Sequence, residues 1–365
     1  MPTDDAVTQA AARVAQRWRA IDPLLPAPDP GARPHCGAPL AVVGDGGLVA
    51  AGRCDHWTGE PGSLDLSWGA ARRFQLFPVV GGPVVGGPDV AAGLDRLLTA
   101  WRDHLAAVPG AGDADTAAVL DWPSRDTGGI RVLLRHGLDP LEVIAARPTP
   151  ARPPVKPKSV IQNGGVLRLD DGTLIRRAGL ADLDTVTRLG IEVIRFDSHF
   201  GSVNERPSTP TALRGELADT MLAGPVLGES VLGESVLGES VLGESALGES
   251  APGESAPWVW LAERDGRAVA MLAAQRPAAA AWIAPMTALA PAAYLELMYV
   301  DPGERGGGLG SALVDEFHRE AQAAGVAVTL LHYEQLNPLS MPFWSRHGYR
   351  PLWTTWEVSP GRGVR

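Results

Sequence analysis

The sequence predicts an α/β fold, because strands and helices alternate along its second half. Residues 294–300 (YLELMYV) are typical of a strand, residues 310–325 have the apolar spacing of an amphipathic helix, and residues 326–333 (VAVTLLHY) are typical of a buried strand. A strand, a helix and a strand in this order form a βαβ unit, whose two strands should lie parallel. Residues 258–275, with an Asp-Gly pair near their centre, predict a β-hairpin before this unit.

Other elements extend this pattern in both directions. A strand is predicted over residues 172–178 and a helix over residues 181–196. After the βαβ unit, Asn337 followed by a proline can cap a short final helix over residues 338–348. In the first half of the chain, residues 89–107 have the periodicity of one amphipathic helix.

The length and composition predict two soluble globular domains. The chain has 365 residues, of which 45% are hydrophobic and 20% are charged, which is enough for two sizeable cores. The proline-rich segment 146–159 is typical of an interdomain linker. We therefore expect a first domain over residues 1–150, a linker and lead-in over 151–167, and a second domain over 168–365.

Much of the acidic charge comes from one repeated segment. The net charge is −10, which argues against non-specific binding to nucleic acid. Residues 226–255 are six pentads of the VLGES type with one glutamate each and no basic residue, so without them the net charge would be −4. A period of five fits neither a strand nor a helix, so we expect a flexible insertion over 226–256. The alternatives are a binding tail and a small repeat structure.

Nothing in the sequence predicts secretion, a membrane span or a metal site. The only cysteines, Cys36 and Cys54, are too few for a disulfide framework and lack the spacing of a zinc site, so we expect reduced bystander thiols. The N-terminus has no basic region followed by an apolar core, and two prolines interrupt the apolar stretch 278–293. We expect a cytoplasmic monomer or homodimer that binds neither membrane nor nucleic acid.

The corner between the first parallel strand and its helix predicts a phosphate site. Its sequence, RGGGLG, lets successive backbone N–H groups converge, and the following helix adds its own unpaired N–H groups and positive dipole end. No Gly-Lys-Ser/Thr follows, and Ser311 stands where a dinucleotide fingerprint has its third glycine. The match is to Arg-x-x-Gly-x-Gly, with Arg305, Gly308 and Gly310. The alternative is a flexible turn that binds nothing.

This arrangement resembles motif A of the GNAT superfamily of acyl-CoA-dependent N-acyltransferases. Residues 337–351 (NPLSMPFWSRHGYRP) are similar to the last helix of that superfamily and the glycine-aromatic start of the next strand; the resemblance covers roughly residues 168–358. It implies a mixed, largely antiparallel sheet with a splayed pair of parallel strands, flanked by helices. It also implies acetyl-CoA as cosubstrate, with its pyrophosphate at the glycine loop and its pantetheine arm between the splayed strands.

The resemblance assigns cofactor contacts to the strand, the loop and the last helix. These residues are Met298, Tyr299, Val300, Arg305, Gly306, Gly307, Gly308, Leu309, Gly310, Ser311, Asn337, Ser340 and Trp344. In many GNAT enzymes a tyrosine follows the aromatic residue of the last helix and protonates the leaving thiolate, but Trp344 stands there in this chain. Tyr333 or Tyr349 could replace that tyrosine, unless each is a packing aromatic and water supplies the proton.

Acyl transfer to an amine needs a neutral amine, a stabilised oxyanion and a proton for the leaving group. Backbone N–H groups of the splayed strand could stabilise the oxyanion. Glu296 is the first candidate base, on a strand face that we expect it to share with Met298 and Val300; an ion-paired surface carboxylate is the alternative. His332 is a second candidate base or a structural histidine.

The two halves of the chain have similar endings. Residues 120–143 align without a gap over residues 331–354, with an Arg-His-Gly triplet and a Pro-Leu pair in register. We interpret this as an internal duplication, with chance similarity as the alternative. The helix at 89–107 would correspond to the helix after the cofactor loop, yet no Arg-x-x-Gly-x-Gly precedes it. The first half thus resembles a degenerate GNAT-like domain, in tandem with the active one.

The sequence therefore predicts an N-acetyltransferase that moves an acetyl group from acetyl-CoA to a primary amine by direct attack in a ternary complex. The acceptor, a small molecule or a peptide, is left open. Asp197, His199, Phe200 and Arg206 are candidates to contact it, or else form an ordinary polar loop. The competing hypotheses are a non-catalytic acetyl-CoA sensor or scaffold and a nucleotide-binding α/β protein of another kind.

Overall fold

The structure, a computed structural model, describes seven stretches of the chain. They are residues 4–28, 37–44, 47–80, 89–150, 160–162, 166–222 and 257–365. The VLGES-type repeat and most of the expected linker lie outside the described residues.

The first half contains three helices and five strands within its described part. In chain order they are α1 (Asp4–Ile21), β1 (Ala38–Gly44), β2 (Gly47–Thr58), β3 (Arg72–Val80), α2 (Asp89–Ala107), β4 (Thr116–Pro123), α3 (Thr127–Arg135) and β5 (Asp139–Pro148). The helix expected over residues 89–107 is α2, with the predicted bounds.

The second half contains four helices and eight strands within its described part. They are β6 (Val160–Gln162), β7 (Val166–Arg168), β8 (Leu174–Arg177), α4 (Leu183–Asp197), α5 (Thr209–Leu222), β9 (Val259–Arg264), β10 (Arg267–Gln275), β11 (Ala292–Val300), α6 (Leu309–Ala323), β12 (Val328–Glu334), α7 (Ser340–Arg346) and β13 (Arg350–Val358). Asp265 and Gly266 form the predicted hairpin turn, with φ values of 51° and 72°. None of the described helices is both long and apolar enough to cross a membrane.

All of these strands form one continuous sheet. Their order is β1-β2-β3-β4-β13-β5-β12-β11-β10-β9-β8-β7-β6. Each half contributes one parallel pair, β3 with β4 and β11 with β12, and the other described pairs are antiparallel. The expected mixed, largely antiparallel sheet flanked by helices is thus confirmed.

The two halves exchange their last strands. Strand β13, from the second half, lies between β4 and β5 of the first half. Strand β5, from the first half, pairs with β12 of the second half. Each half therefore completes the sheet of the other, and the two halves share their central strands.

The two halves also repeat one succession of elements. The series β4–α3–β5 and β12–α7–β13 follow the ungapped alignment seen in the sequence. Gly137 and Gly348, at equivalent positions after α3 and α7, have φ values of 83° and 82°. Glycine adopts this left-handed conformation without strain, so the same turn follows both helices. The repetition supports the interpretation as an internal duplication.

The helices divide between the two faces of the sheet. On one face, α2 covers the first half around Trp101, and α6 covers the second around Phe317, Trp258 and Trp260. On the other face, α1 builds an apolar cluster around Trp18, and α4 with α5 builds another. Between these two clusters the strands carry a strip of polar side chains, here called the polar strip. It comprises Asp121, Glu142, Gln275, Glu296, His332, Glu334, Thr355 and Glu357.

Candidate active site

The parallel strands β11 and β12 diverge halfway along their length. They pair as far as Leu295 and Leu331, whereas β11 continues to Val300 and β12 to Glu334. On its other edge β11 stays paired with β10 up to Val300. The edge of β11 beyond Leu295 therefore presents backbone groups to a gap, as the splayed pair predicted from the resemblance requires.

A β-bulge interrupts β11 where this gap opens. Leu295 pairs with Ala274 of β10, and Leu297 pairs with Ala273, so Glu296 is an extra residue without a direct partner. A bulge of this kind breaks the alternation of side chains between the two faces and bends the strand.

The bulge separates Glu296 from the residues expected to share its face. Met298 and Val300 pack against the core beneath α6. Glu296 lies on the opposite face, where it contacts Glu216 of α5 and Gln275 of β10. The expectation of one shared face is wrong, because it assumed an unbroken alternation along β11. As a consequence, Glu296 belongs to the polar strip.

The glycine loop before α6 presents a row of free N–H groups. Gly306 and Gly308 have φ values of 85° and 91°, which favour glycine, and a Cβ on either would meet no atom within 4 Å. None of the backbone N–H groups of residues 306–311 has an acceptor in the described part of the chain. Together with the positive end of α6, such a loop suits a phosphate or pyrophosphate.

Arg305 is held at the start of this loop. Its Nε donates a hydrogen bond to the Val300 carbonyl at 3.0 Å, and its guanidinium lies over the Phe196 ring, 5.5 Å from the centroid. The side chain is exposed, and so it can also reach an anion in the loop. Tyr299, which the resemblance assigns to the cofactor, points to the α4 face and packs there.

Gly310, the second glycine of the motif, lies close to side chains of β11 and α7. A Cβ at this position would lie 2.8 Å from Met298 Cε and 3.4 Å from the Phe343 ring. Leu309 is buried in the core beneath α6. Ser311 Oγ lies 3.1 Å from His347 Nε2, in the first turn of the helix. The loop residues expected from the sequence thus lie together, and Phe343 is a neighbour that the sequence analysis did not single out.

The expected contacts from the last helix have structural roles in the described residues. The Oδ1 of Asn337 accepts a hydrogen bond at the start of α7 at 3.0 Å, and its Nδ2 donates to Asp197 at 2.9 Å. Trp344 is 8% exposed and packs edge-on against Tyr349. Ser340 is the first residue of α7 and is half-buried.

Glu296 and Glu216 form a pair of neighbouring carboxyls. Burial and the nearby Glu216 both raise the pKa of Glu296, while Gln275 Nε2, 3.4 Å from its Oε2, lowers it in part. Burial also raises the pKa of Glu216. Two close carboxyls do not both ionise readily, so the pair holds one proton toward neutral pH. A carboxylate with a raised pKa is a suitable general base.

His332 is neutral and belongs to a small network beside this pair. Its Nδ1 lies 3.0 Å from the Tyr294 hydroxyl, and its ring stacks on Trp282 with 7° between the planes. Burial lowers the pKa of His332 to about 4. Trp282 Nε1 donates a hydrogen bond to Gln275 Oε1 at 2.9 Å, and Gln275 in turn contacts Glu296. A neutral His332 can orient a bound group but competes poorly with Glu296 as a base.

Tyr333 lies on the α6 face and differs from the other candidate acid. Burial raises the pKa of Tyr333 to about 12, and its hydroxyl makes no hydrogen bond to the described residues. The hydroxyl of Tyr349 accepts a hydrogen bond from Thr329 at 3.0 Å and contacts His318 at 3.0 Å. Of the two tyrosines, Tyr333 has the hydroxyl that is available for a ligand.

The segment after α4 supplies one polar group to the site. Arg206 forms two hydrogen bonds to Asp115 of the first half, at 2.9 and 3.0 Å, and thus joins the two halves. His199 and Phe200 make their contacts with α4 itself. Asp197 is the exception: burial raises its pKa to about 6, and it lies among the carboxyls of the polar strip.

A separate group of metal-ligating side chains lies in the first half. Cys54 and His56 of β2 meet His104 of α2, and their ligand atoms all lie within 4.8 Å of one another. The two Nε2 atoms are 3.4 Å apart, and Trp101 Nε1 lies 3.2 Å from the Cys54 sulfur. Sulfur and imidazole ligands of this kind suit Zn²⁺. The sequence analysis missed this group, because His104 is distant from the other two along the chain.

Comparisons with known proteins point to one family. Residues 256–351 match the family model described as acetyltransferase (GNAT) domain. The fold is similar to that of a GCN5-related N-acetyltransferase from Sphaerobacter thermophilus, with 14% identity, a TM-score of 0.52, and 96% of this chain and 93% of that chain covered. No curated protein matches the sequence.

Two further solved structures are similar over nearly the whole chain. One is a tandem GNAT protein from the clavulanic acid biosynthesis pathway, with 12% identity, a TM-score of 0.42, and 99% and 97% of the two chains covered. The other is an acetyltransferase of the GNAT family from Colwellia psychrerythraea, with 10% identity, a TM-score of 0.45, and 98% and 97% covered.

Proposed function

We propose that the protein transfers an acetyl group from acetyl-CoA to a primary amine, a function supported by the match of residues 256–351 to the acetyltransferase (GNAT) domain model. The observation that carries the proposal is the combination of two features on adjoining elements. One is the row of N–H groups at residues 306–311, which have no acceptor among the described residues, and the other is the splayed strand β11 with Glu296 at its bulge. The loop N–H groups suit the cofactor phosphates, and the splayed strand with Glu296 suits general-base catalysis of acyl transfer.

The cosubstrate supplies the activated acetyl group, and this chain supplies its binding site. We assign the pyrophosphate to the loop N–H groups and to Arg305, whose side chain is exposed beside them. The free edge of β11 around Met298 and Val300 is the place for the amide groups of the pantetheine arm. In this arrangement the thioester lies where β11 and β12 diverge, next to the bulge at Glu296.

In the proposed reaction the general base and the general acid lie on opposite faces of the sheet. Glu296, on the polar face, takes a proton from the acceptor ammonium, and the neutral amine attacks the thioester carbonyl. Backbone N–H groups on the free edge of β11 stabilise the negative oxygen. As the carbon–nitrogen bond forms and the carbon–sulfur bond breaks, Tyr333 on the other face donates a proton to the leaving thiolate. The nitrogen releases its second proton to solvent as it becomes an amide, and Tyr333 regains a proton from solvent.

The domain boundaries follow the same proposal. Residues 168–365 are the catalytic GNAT domain, and residues 1–150 are a degenerate copy in which no Arg-x-x-Gly-x-Gly precedes α2. The exchange of β5 and β13 gives the first domain a direct part in the site, because Glu142 of β5 belongs to the polar strip. The first domain therefore supports the acceptor side rather than binding cofactor.

One observation favours a second function, a non-catalytic acetyl-CoA sensor. Trp344 is buried at the position where many GNAT enzymes have a catalytic tyrosine. A panel of primary amines, assayed for release of the free CoA thiol, separates the two functions. Amine-dependent release that falls strongly in Glu296→Gln supports the transferase. Saturable acetyl-CoA binding without release from any amine would favour the sensor.

A further inference from the structure

We propose that the acceptor carries a second cationic group, and that Glu142, Glu334, Glu357 and Asp197 bind it. These four residues are here called the acidic cluster. The inference rests on the proposed transferase function and names its substrate class: a small molecule with two ammonium groups, such as an aliphatic diamine or a diamino sugar.

The acidic cluster lies at the junction of the two halves. Glu334 of β12 and Glu142 of β5 are direct partners across antiparallel strands. Glu357 of β13 and Asp197 at the end of α4 complete the group, and all three neighbours act electrostatically on Glu334. Two ionised carboxylates directly opposite each other destabilise a sheet, so the cluster either retains protons or needs a cation to balance its charge.

Glu334 gives an independent indication of a missing ligand. Its side chain is 2% exposed, and neither of its carboxylate oxygens has a hydrogen-bond partner in the described part of the chain. The Ser202 N–H approaches closely enough to lower the pKa slightly but does not complete a hydrogen bond. Buried carboxyl groups are normally paired or hydrogen-bonded, because their desolvation is otherwise uncompensated.

The loop after α4 closes over this carboxyl. A Cβ built on Gly201 would lie 1.6 Å from Glu334 Oε2, so the backbone of this loop rests directly on the carboxylate. A side chain at position 201 would displace the carboxylate from its present place. The loop therefore covers one side of Glu334, and a small ligand fits beside this carboxylate better than a bulky peptide does.

The charge balance of the cluster favours a cationic ligand. Burial raises the pKa of Glu334 to about 9 and that of Glu142 to about 7. Arg73 is the basic group that acts on Glu142 and Glu357. Its Nε and a terminal nitrogen already donate to backbone carbonyls, at 3.1 and 2.8 Å. Asp197 and Glu357 each accept one hydrogen bond, from Asn337 and Ser359, whereas Glu334 accepts none from the described residues. An ammonium group would supply positive charge to the cluster and hydrogen-bond donors to Glu334.

The cluster and the transfer site are neighbours on one face. The pKa of Tyr294 is raised by burial and then by Glu296, Glu142 and Glu216, so carboxyls from both groups act on its hydroxyl. That hydroxyl lies 3.0 Å from His332. The Tyr294–His332 pair thus lies between Glu296, which would receive the reacting amine, and the acidic cluster, which would hold the second one.

Matched amines test the proposal by calorimetry, independently of catalysis. The probes are 1,4-diaminobutane against 1-aminobutane, and a sugar with two amino groups against one with a single amino group. For at least one pair we expect the dication to bind ten or more times more tightly. Glu334→Gln and, separately, Glu142→Gln should abolish that preference, whereas Asp184→Asn, at an 87% exposed side chain, should preserve it.

The outcomes distinguish this proposal from the proposed function. Equal binding of dication and monocation in both pairs, or a preference that survives in both folded variants, would overturn the acidic cluster as a ligand site. Transfer to monoamines without any preference would leave the transferase function intact and remove this inference. Selective binding of the dication without release of the CoA thiol would support the acidic cluster as a ligand site and would contradict the proposed transferase function.

Discussion

The two halves build the same βαβ corner, but only one half places reactive groups in it. In the first half β3 and β4 pair in parallel as far as Leu76 and Leu120; in the second, β11 and β12 pair as far as Leu295 and Leu331. Both pairs then diverge. The splayed geometry is therefore a property of the fold, and it does not by itself identify an active site.

The difference between the halves begins at the next residue. Phe77 follows Leu76 in β3, whereas Glu296 follows Leu295 in β11. Strand β3 also keeps an uninterrupted register with β2, while β11 has its bulge at Glu296. The proposed function thus depends on one extra residue in a strand and on the loop that follows it.

The next strand also differs between the halves: a buried tryptophan and a proline stand in place of Tyr333 and Glu334, whereas Asp121 remains a polar residue of the polar strip. In the ungapped alignment Asp121, Trp122 and Pro123 of β4 stand where β12 has His332, Tyr333 and Glu334. Trp122 donates a hydrogen bond to a backbone carbonyl at 2.9 Å and is buried. The first half thus keeps the framework and contributes strand β5 to the second.

The largest effect on activity is expected from substituting Glu296, the residue that distinguishes the βαβ corner of the second half from that of the first. Glu296→Gln should lower kcat by about 10²- to 10⁴-fold, because the acceptor ammonium loses its base. The corresponding change in the first half, Phe77→Leu, should leave kcat within about twofold, since it removes no general base. Steady-state thiol release measures both. Similar losses from the two changes would mean that Glu296 acts through stability.

A smaller effect is expected at the glycine loop. Gly308→Ala places a side chain at φ 91°, which costs about 1–2 kcal/mol of backbone strain. It should also weaken acetyl-CoA binding about tenfold, because the loop N–H groups are reoriented. Gly266→Ala is the matched control, since Gly266 also has a positive φ but lies in the hairpin turn. Calorimetry that finds equal weakening in both variants would contradict a specific role for the loop.

The pH dependence should reveal the carboxyl pair. Because burial and Glu216 raise the pKa of Glu296, kcat/KM should increase with pH through that raised pKa as the base loses its proton. Glu216→Gln removes a neighbouring negative charge, so the increase should shift to lower pH. A profile that Glu216→Gln leaves in place would show that the two carboxyls do not interact.

The free energy of unfolding should decrease as pH rises, because of the acidic cluster, whereas kcat/KM should increase. Burial raises the pKa of Glu334 to about 9, so the folded state holds a proton that the unfolded state, with an ordinary carboxyl pKa, releases. Stability from this group is complete below the ordinary pKa and is lost as pH rises toward 9, by up to about 1.4 kcal/mol per unit. Glu334→Gln should flatten this decrease in denaturant titrations at several pH values. An unchanged slope would contradict the buried, unpaired carboxyl.

Much of the second half could be predicted from sequence because its signals are local. The strand–glycine–helix corner and the Asp-Gly hairpin depend on neighbouring residues and were found within a few positions. The cap predicted at Asn337 is wrong: α7 begins at Ser340 after Leu339, and Asn337 Oδ1 accepts the Leu339 N–H in the turn before the helix. The residues from Arg305 to Ser311 were also predicted to be neighbours, because they are consecutive in the sequence. The duplication was visible because its helix–turn–strand ending is ungapped.

The rest depends on contacts between distant segments. The bulge at Glu296 arises from pairing with β10, and the Glu296–Glu216 contact requires α5 to pack over β11. The acidic cluster forms only after β5 and β13 exchange between halves. Contacts between segments that are distant in sequence leave no periodic pattern in the chain. For this reason the sequence analysis did not identify Glu216 and Glu334 as site residues, and it placed Glu296 on the wrong face of β11.

Calorimetric titration of acetyl-CoA into the intact protein and into Arg305→Ala tests the central claim, that the second half alone binds the cofactor. Arg319→Ala, on α6 but beyond the loop, is the control. We predict one site per chain, weakened tenfold or more in Arg305→Ala and unchanged in Arg319→Ala. Two sites per chain, or one site whose affinity is unchanged in Arg305→Ala, would contradict the claim that only the second half binds the cofactor at its glycine loop.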